Sequence, residues 1–222
     1  RRALYEEMNR VIATLHAVPY AEVGLAGFGK PGNYLQRQIG RWSKQYLASI
    51  TQPIAAMDKL MEWLPAHLPA SARSETASIV HGDYRLDNMI FHATESRVLA
   101  LLDWELSTLG NPLADFTYHC MTWHFEPASG RGLEGLDLAA LGIPSLDEYI
   151  AMYCERSGLV DADVLRADWA FYMAYNQFRG AAISQGIAKR VEAGTAASAH
   201  ARKAGAGAAL RAEKAWQWAQ RA

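Results

Sequence analysis

The chain has 222 residues, half of them hydrophobic and a fifth charged, with a formal net charge of −1, which suits a globular protein of one large domain or two small ones. The near-neutral charge without a basic block argues against a nucleic-acid partner, and no apolar run approaches the ~18 residues that a membrane span needs. Cys120 and Cys154 are too few for a disulfide framework, so we expect reduced thiols and a cytoplasmic location.

Amphipathic helices are predicted for the first third of the sequence. The first helix has apolar residues at helical spacing between Leu4 and Leu15 and is predicted to end near Pro19. A third helix is predicted from about residue 54 to residue 67. The second helix, between these two, carries an apolar stripe formed by Leu35, Ile39, Trp42 and Tyr46.

A glycine motif at residues 27–32 matches the pattern G-x-G-x-x-G. A nucleotide-binding loop of this kind requires a preceding strand, whereas a helix and coil precede this one. Pro31 also removes one of the backbone N–H donors that a phosphate would use. We therefore interpret the motif as a turn that leads into the second helix.

A β-hairpin is predicted in the middle of the chain. Residues 79–91 and 98–105 each contain a short apolar run rich in branched side chains. The polar residues 93–97 lie between the two runs, so the chain is expected to fold back on itself there.

The hairpin brings three polar side chains together if its turn is centred between Glu95 and Ser96. Asn88 then lies opposite Asp103, with Cα atoms about 4.5–5.5 Å apart, and Asp83 lies on the loop just before. Amide and carboxylate oxygens are the ligands that a hard divalent cation prefers. The sequence therefore predicts a metal site formed by Asn88 and Asp103.

Helices are predicted for most of the remaining chain. Asn111 and Pro112 are a typical helix start. Further helices are predicted over about 146–157 and from near Asp163 to Gly186, while the Ala- and Gly-rich residues 194–207 are expected to form a poorly stable link. A final helix closes the chain and includes Leu210, Trp216 and Trp218.

The spacing of the polar residues in the hairpin has a specific chemical interpretation. In the protein-kinase template, a loop Asp accepts the substrate hydroxyl proton, an Asn five residues later binds a metal ion, and a further Asp binds metal. Asp83 and Asn88 have this separation, and Asp103 follows the second strand. The pattern therefore predicts transfer of a nucleotide γ-phosphoryl group to a hydroxyl.

Residues 81–88, His-Gly-Asp-Tyr-Arg-Leu-Asp-Asn, with Asp-Trp-Glu at 103–105, resemble the aminoglycoside phosphotransferase and choline kinase family. Together with 110–115, they are similar to the kinase-like domain that some larger proteins fuse to an acyl-CoA dehydrogenase. The resemblance implies a mainly α fold with a small β-hairpin (α+β), namely a protein-kinase-like C-terminal lobe over residues 1–222. We expect a nucleotide-binding N-terminal lobe to precede residue 1, and the 222 residues alone to turn over little.

The resemblance also implies roles for individual residues. Asp83 would be the catalytic base, while Asn88 and Asp103 would bind Mg²⁺ and, through it, ATP. His81, Glu105 and Asp115 would support the catalytic loop.

The acceptor is expected to be a small molecule with a hydroxyl, and the neighbours in this family suggest a hydroxyacyl-CoA or a hydroxy acid. Arg85 is a candidate contact for an anionic substrate, and Tyr175, Asn176 and Arg179 are further substrate candidates. An aminoglycoside- or choline-type acceptor is the alternative. The oligomeric state is left open.

Two other classes of function remain as alternatives. A hydrolase could use Asp83, Asp103 and Glu105 as paired carboxylates. A non-catalytic kinase-like module could bind a ligand or partner without phosphoryl transfer.

Overall fold

The second helix shows how the apolar spacing of the sequence determines a core face. In the computed structural model, which describes residues 1–73, 77–196 and 198–222, this helix (α2) runs from Tyr34 to Ala48. All four residues of its predicted stripe are buried, namely Leu35, Ile39, Trp42 and Tyr46. The helical prediction for this segment is confirmed.

The fold class predicted from the sequence is confirmed, since helices dominate and the strands are short. The α-helices are α1 (Arg2–Ala17), α2 (Tyr34–Ala48), α3 (Ala55–Ala66), α4 (Ala70–Arg73), α5 (Pro112–His119), α6 (Leu138–Leu141), α7 (Leu146–Ser157), α8 (Ala162–Ala167), α9 (Trp169–Glu192), α10 (Ala199–Ala206) and α11 (Ala208–Ala219). The strands are β1 (Ser78–Val80), β2 (Met89–Phe91), β3 (Val98–Leu101) and β4 (Thr108–Gly110). None of the described helices combines the length and hydropathy that a membrane span requires.

The chain divides into two units. The first unit comprises Arg1–Gly32 and Glu75–Arg166, and the second comprises Asn33–Ser74 and Ala167–Ala222. The glycine motif ends at Gly32, the last residue of the first segment of the first unit. As predicted, the motif is a turn, because no strand precedes it.

The core of the first unit forms where α1 packs against α7 and β1. The amide of Asn9 in α1 donates to the carbonyl of Tyr149 in α7 (2.9 Å), and the Tyr84 hydroxyl donates to the carbonyl of Met8 (2.7 Å). A capping box between Ser145 and Glu148 begins α7, which satisfies backbone donors at the helix start. These contacts fix α1 against the segment that contains the predicted catalytic loop.

Two antiparallel strand pairs lie in the first unit. β2 pairs with β3 as the predicted hairpin, and β1 pairs with β4, which the sequence analysis did not predict. The β1–β4 pair flanks the hairpin on both sides in sequence. The segment before β2 and the segment after β3 are therefore brought together at their outer ends, where Ser107 Oγ donates to the carbonyl of Val80 (2.7 Å).

The predicted register of the hairpin is wrong by one residue. Met89 lies opposite Leu101, and the Leu102 N–H donates to the Asn88 carbonyl (2.9 Å), so Asn88 is opposite Leu102 rather than Asp103. The cause is the position of the turn: Phe91 pairs with Val98, so the turn is centred between Thr94 and Glu95, one residue before the predicted centre. The irregularity between Ile90 and Phe91 then reduces the difference in partner from two residues to one. Asp103 therefore follows the last paired residue instead of occupying a strand position.

The second unit is organised around the long helix α9, which contacts α2, α3, α10 and α11. The prediction of one continuous helix from near Asp163 is wrong, because the chain breaks between α8 and α9 at Asp168. The residues 194–207, which were predicted to be a poorly stable link, include the helix α10. A Cβ on Gly205 would lie 2.9 Å from the Ala188 Cα, so the small residues permit close helix packing.

A buried imidazole makes the first unit sensitive to acid. His119 is buried and its Nε2 lies 2.8 Å from the Tyr149 hydroxyl. Burial lowers the pKa of His119 from 6.5 to about 4. In the unfolded chain this imidazole takes up a proton near pH 6.5, whereas in the folded chain it does so only near pH 4. The free energy of unfolding should therefore fall as the pH drops from 6.5 to about 4.

We expect His119→Gln to remove much of this pH dependence. The depressed pKa corresponds to roughly 3 kcal/mol of unfolding free energy between pH 6.5 and pH 4, at about 1.36 kcal/mol per pH unit. Denaturant titrations at several pH values would measure the slope in the wild type and the variant. His92→Gln, on the exposed end of the hairpin, is the matched control. An unchanged slope in His119→Gln would contradict the assignment.

Candidate active site

The carboxylate of Asp115 holds the loop that follows β1. It lies in the first turn of α5, which Asn111 caps by accepting from the Ala114 N–H (3.0 Å). Its two oxygens accept from the backbone N–H of His81 (2.7 Å) and of Gly82 (2.9 Å). The supporting contact that the family resemblance implied for Asp115 is therefore present in the structure.

A third donor completes the surroundings of Asp115. His16 Nε2 lies 3.2 Å from the carboxylate, and His16 Nδ1 lies 2.8 Å from the Tyr153 hydroxyl. Burial alone would raise the pKa of Asp115, but the hydrogen bonds from His16 and the loop N–H groups outweigh it and lower that pKa below 3.8. The contribution of Asp115 to stability is therefore complete above pH 3.8 and is lost only at lower pH.

Gly82 is required where the loop turns. Its φ is +83°, and a Cβ there would lie 2.7 Å from the Leu106 carbonyl oxygen. A side chain would therefore strain the backbone and collide with the segment after β3. This explains in physical terms why the motif contains glycine at this position.

His81 connects the loop to the end of the hairpin. It is fully buried; its Nε2 donates to the Leu102 carbonyl (2.9 Å), and its Nδ1 accepts from the Asp83 N–H (3.2 Å). These partners assign the neutral tautomer with the proton on Nε2. His81 thus fixes the spacing between Asp83 and the residue before Asp103.

The Asp83 carboxylate is oriented on both sides. The Tyr118 hydroxyl donates to Oδ1 (2.6 Å), and the Asn88 amide donates to Oδ2 (3.0 Å) and to the Asp83 carbonyl (2.9 Å). An ionised carboxylate has about four acceptor positions, so positions remain for a substrate hydroxyl. The Asn88 amide oxygen is left for another partner, because its nitrogen faces Asp83.

Asp103 has an unusual backbone conformation. Its φ and ψ are 68° and 55°, a left-handed conformation that costs of order 1–3 kcal/mol and persists only where neighbours impose it. Here the residues on each side are held, because the Trp104 indole donates to the Leu101 carbonyl (2.9 Å) and His81 donates to the Leu102 carbonyl. Asp103 is exposed at this constrained turn.

The residue types of this site fit a hard divalent cation. The Asn88 amide oxygen and the Asp103 carboxylate are oxygen ligands, which Mg²⁺ prefers. Among the described residues, no group of three or more His, Cys, Asp or Glu side chains is arranged as a metal cluster. A site that uses Asn88 and Asp103 would therefore need further ligands from water or phosphate, as Mg²⁺ sites usually do.

The structure places the other predicted residues as follows. Glu105 is exposed in a short 3₁₀ turn, Trp104–Leu106. Arg85 forms an ion pair with Asp87 beside the loop. Tyr175, Asn176 and Arg179 are buried in α9 of the second unit, with at most 7% of each residue exposed, so they present almost no surface to a substrate.

Sequence reasoning missed two residues beside Asp83. Tyr118 lies one helical turn after Asp115, on the same face of α5, so the i, i+3 spacing was a usable signal. Arg131 Nη1 lies 3.5 Å from the Asp87 carboxylate. It comes from the Gly-rich loop after the 3₁₀ turns, and no sequence periodicity relates it to the motif.

Comparison with known proteins identifies the family to which this chain belongs. The model of the phosphotransferase enzyme family (APH) matches residues 1–167, so this chain belongs to that family. A solved structure assigned to the aminoglycoside phosphotransferases, from Ralstonia eutropha, is 56% identical, with a TM-score of 0.94 over 100% of this chain and 66% of that one. Choline kinase from Cryptosporidium parvum, 10% identical with a TM-score of 0.61, shares the fold over 96% of this chain and 65% of its own.

The curated relatives are much longer proteins. Mouse acyl-CoA dehydrogenase family member 10 is 46% identical over 99% of this chain, and human acyl-CoA dehydrogenase family member 11 is 39% identical over 86%. The chain spans only 20% and 24% of their lengths. The predicted likeness to a kinase-like domain found with acyl-CoA dehydrogenases is confirmed.

Proposed function

We propose that this phosphotransferase moves the γ-phosphoryl group of ATP to a hydroxyl of a small molecule. The observation that carries the proposal is the orientation of the Asp83 carboxylate by Tyr118 and Asn88. Phosphoryl transfer depends mostly on positioning and electrostatics, and a base with both oxygens held meets the first requirement. Asp83 would accept the proton of the acceptor hydroxyl as the new bond to phosphorus forms.

Two oxygen-bearing side chains would serve as ligands for the metal ion that accompanies the nucleotide. Asn88 and Asp103 would hold Mg²⁺, which would offset charge on the phosphate oxygens. A related structure with this fold, aminoglycoside 2'-phosphotransferase-IIIa, is described as a GDP complex, so nucleotide use is part of the proposal. His81 and Asp115 would keep Asp83 and the hairpin end at a fixed spacing.

We also propose that residues 1–222 form the catalytic and acceptor-binding lobe, and that a nucleotide-covering lobe lies elsewhere in the complete protein. The partial coverage of the Ralstonia structure supports this division. The isolated chain should then bind ATP poorly. The proposed acceptor is a hydroxyacyl-CoA or a hydroxy acid, and an aminoglycoside- or choline-type acceptor is the second candidate because proteins of those names share the fold.

The proposal is tested by measuring ATP consumption by the complete protein with hydroxyacyl-CoAs, hydroxy acids, aminoglycosides and choline. We expect Mg²⁺-dependent formation of ADP and a phosphorylated acceptor. Chemical change in an acceptor when ATP is omitted would favour the hydrolase alternative. Absence of both turnover and Mg²⁺-dependent nucleotide binding would favour a non-catalytic module.

Tyr118→Phe should lower kcat by roughly tenfold, because a hydrogen bond to a charged group contributes about 1.5–3 kcal/mol and Asn88 retains part of the orientation of Asp83. The KM for ATP should change little, since the lost hydroxyl contacts the base rather than the proposed metal ligands. Steady-state kinetics of the complete protein would measure both constants. Tyr20→Phe, in a turn of the same unit, is the matched control, and equal kinetics in the two variants would contradict the role.

A further inference from the structure

Two arginines converge on one carboxylate beside the proposed catalytic base. Arg85 Nη2 contacts Asp87 Oδ2, and Arg131 Nη1 lies 3.5 Å from the same oxygen. Arg85 is two residues after Asp83 in the loop, whereas Arg131 comes from the segment after the 3₁₀ turn Pro127–Ser129. The fold thus brings together two cationic groups that are distant in sequence.

The segment that carries Arg131 is held firmly. Gly132 lies so close to neighbouring backbone that a Cβ would be 2.0 Å from the Phe125 carbonyl oxygen. The Leu133 N–H donates to the carbonyl of Thr122 (2.9 Å). The position of Arg131 beside the loop is therefore set by its backbone, although its side chain remains about half exposed.

Arg131 also shares the electrostatic environment of the base. Burial lowers the pKa of Arg131, and the positive charge of Arg85 lowers it further, while Tyr118 and Asp83 act in the opposite direction. Each of these influences requires the groups to be close. Arg131 therefore lies within electrostatic range of Asp83.

Both arginines depend on the same Asp87 oxygen for an ion pair. The Asp87 carboxylate, whose side chain is 59% exposed, forms ion pairs with the guanidinium groups of both Arg85 and Arg131. The Arg85 Nε is buried and has no hydrogen-bond partner in the described part of the chain. The planar fork of donors on an arginine matches a carboxylate or a phosphate, so an incoming anion could replace Asp87 as the partner of these groups.

We propose that Arg85 and Arg131 form an anion clamp that selects acceptors with a carboxylate or phosphate group in addition to the hydroxyl. This inference rests on the proposed phosphotransferase function and narrows its acceptor class. It favours a hydroxy acid or a hydroxyacyl-CoA. It disfavours choline and aminoglycosides, because their positive charges would meet two guanidinium groups next to the base.

The test compares acceptors that differ in charge. The complete protein is assayed for ATP-dependent phosphorylation of a hydroxy acid, the neutral diol of matching carbon skeleton, choline and a hydroxyacyl-CoA. We expect the two anionic acceptors to have the higher kcat/KM. A higher kcat/KM for the hydroxyacyl-phosphopantetheine than for the hydroxyacyl-pantetheine, which differ only in the phosphate, would identify phosphate as the anion recognised. Preference for the free hydroxy acid over these thioesters would identify carboxylate.

Variants of the clamp separate recognition from a structural role. Arg131→Gln should lower kcat/KM for the anionic acceptor by ~10–100-fold, the range expected for hydrogen bonds to charged groups. Most of the loss should be in KM, and the neutral diol should be affected less than about threefold. Asp87→Asn should act in the opposite direction and lower the KM of the anion. Arg97→Gln, at the exposed end of the hairpin, is the matched control.

Three results would overturn the inference. If Arg131→Gln lowers kcat/KM equally for the hydroxy acid and the diol, the arginine only maintains the loop. The same conclusion follows if the KM for the anion rises in both Arg131→Gln and Asp87→Asn. A wild-type preference for choline would exclude the clamp as a selector. If no acceptor is phosphorylated, the proposed phosphotransferase function itself is wrong. If all acceptors are phosphorylated without a charge preference, only the anion clamp is wrong.

Discussion

Asp83→Ala should reduce turnover of the complete protein by ~10²–10⁴-fold, the usual contribution of a positioned general base. Nucleotide binding should survive, because the proposed metal ligands Asn88 and Asp103 are unchanged. The measurements are single-turnover phosphoryl transfer and Mg²⁺-dependent ATP binding by calorimetry. Asp83→Asn is the more conservative variant, since it keeps the side-chain shape between Tyr118 and Asn88.

The matched control for the base is Glu95→Gln, which neutralises an exposed carboxylate at the end of the same hairpin. It should leave turnover within about twofold of the wild type, since exposed ion pairs contribute little. Retained turnover in both Asp83 variants would remove Asp83 from the mechanism. Simultaneous loss of ATP binding would instead indicate that Asp83 supports the nucleotide site.

Asp115→Asn should destabilise the protein by about 3–5 kcal/mol, the usual cost of breaking a buried pair by removing one partner. Three donors share the two oxygens of Asp115. An asparagine amide would place its N–H groups against one of these three donors and would remove the negative charge that the donors stabilise. Chemical denaturation at neutral pH measures the loss, and kcat should also fall because His81 and Gly82 lose their anchor.

A surface aspartate provides the control for this loss of stability. Asp147 pairs with Arg166 at 3.2 Å, and its side chain is 81% exposed. Asp147→Asn should change the unfolding free energy by less than about 1 kcal/mol. If Asp115→Asn has an equally small effect, Asp115 is not the anchor of the loop.

The sequence was most informative where one periodicity or one motif determines the local structure. The stripe on α2 and the Asn111 cap of α5 are set by neighbouring residues, and both were predictable. The family motif indicated Asp83, Asn88 and Asp103 because their spacing is itself the signal. These features need no knowledge of distant contacts.

Features that depend on packing were less accessible. The predicted hairpin register was wrong because the turn is centred one residue earlier than assumed, and the irregularity after Ile90 offsets only part of this shift. Nothing in the side-chain alternation marks either feature. The residues of α10 were predicted as a weak link because Ala and Gly suggest low intrinsic stability, yet the same small size lets Gly205 approach Ala188. Arg131 reaches Asp87 only through the tertiary fold.

The interleaving of the two units has a consequence for biosynthesis. The core of the first unit forms only when α1 packs against α7. Between these two helices in sequence lies Asn33–Ser74, which belongs to the second unit. During translation, α1 leaves the ribosome long before its partner exists, and contacts of such separation form slowly. The nascent chain should therefore expose apolar helix faces until residue 166 has emerged, and a chaperone should bind them in that interval.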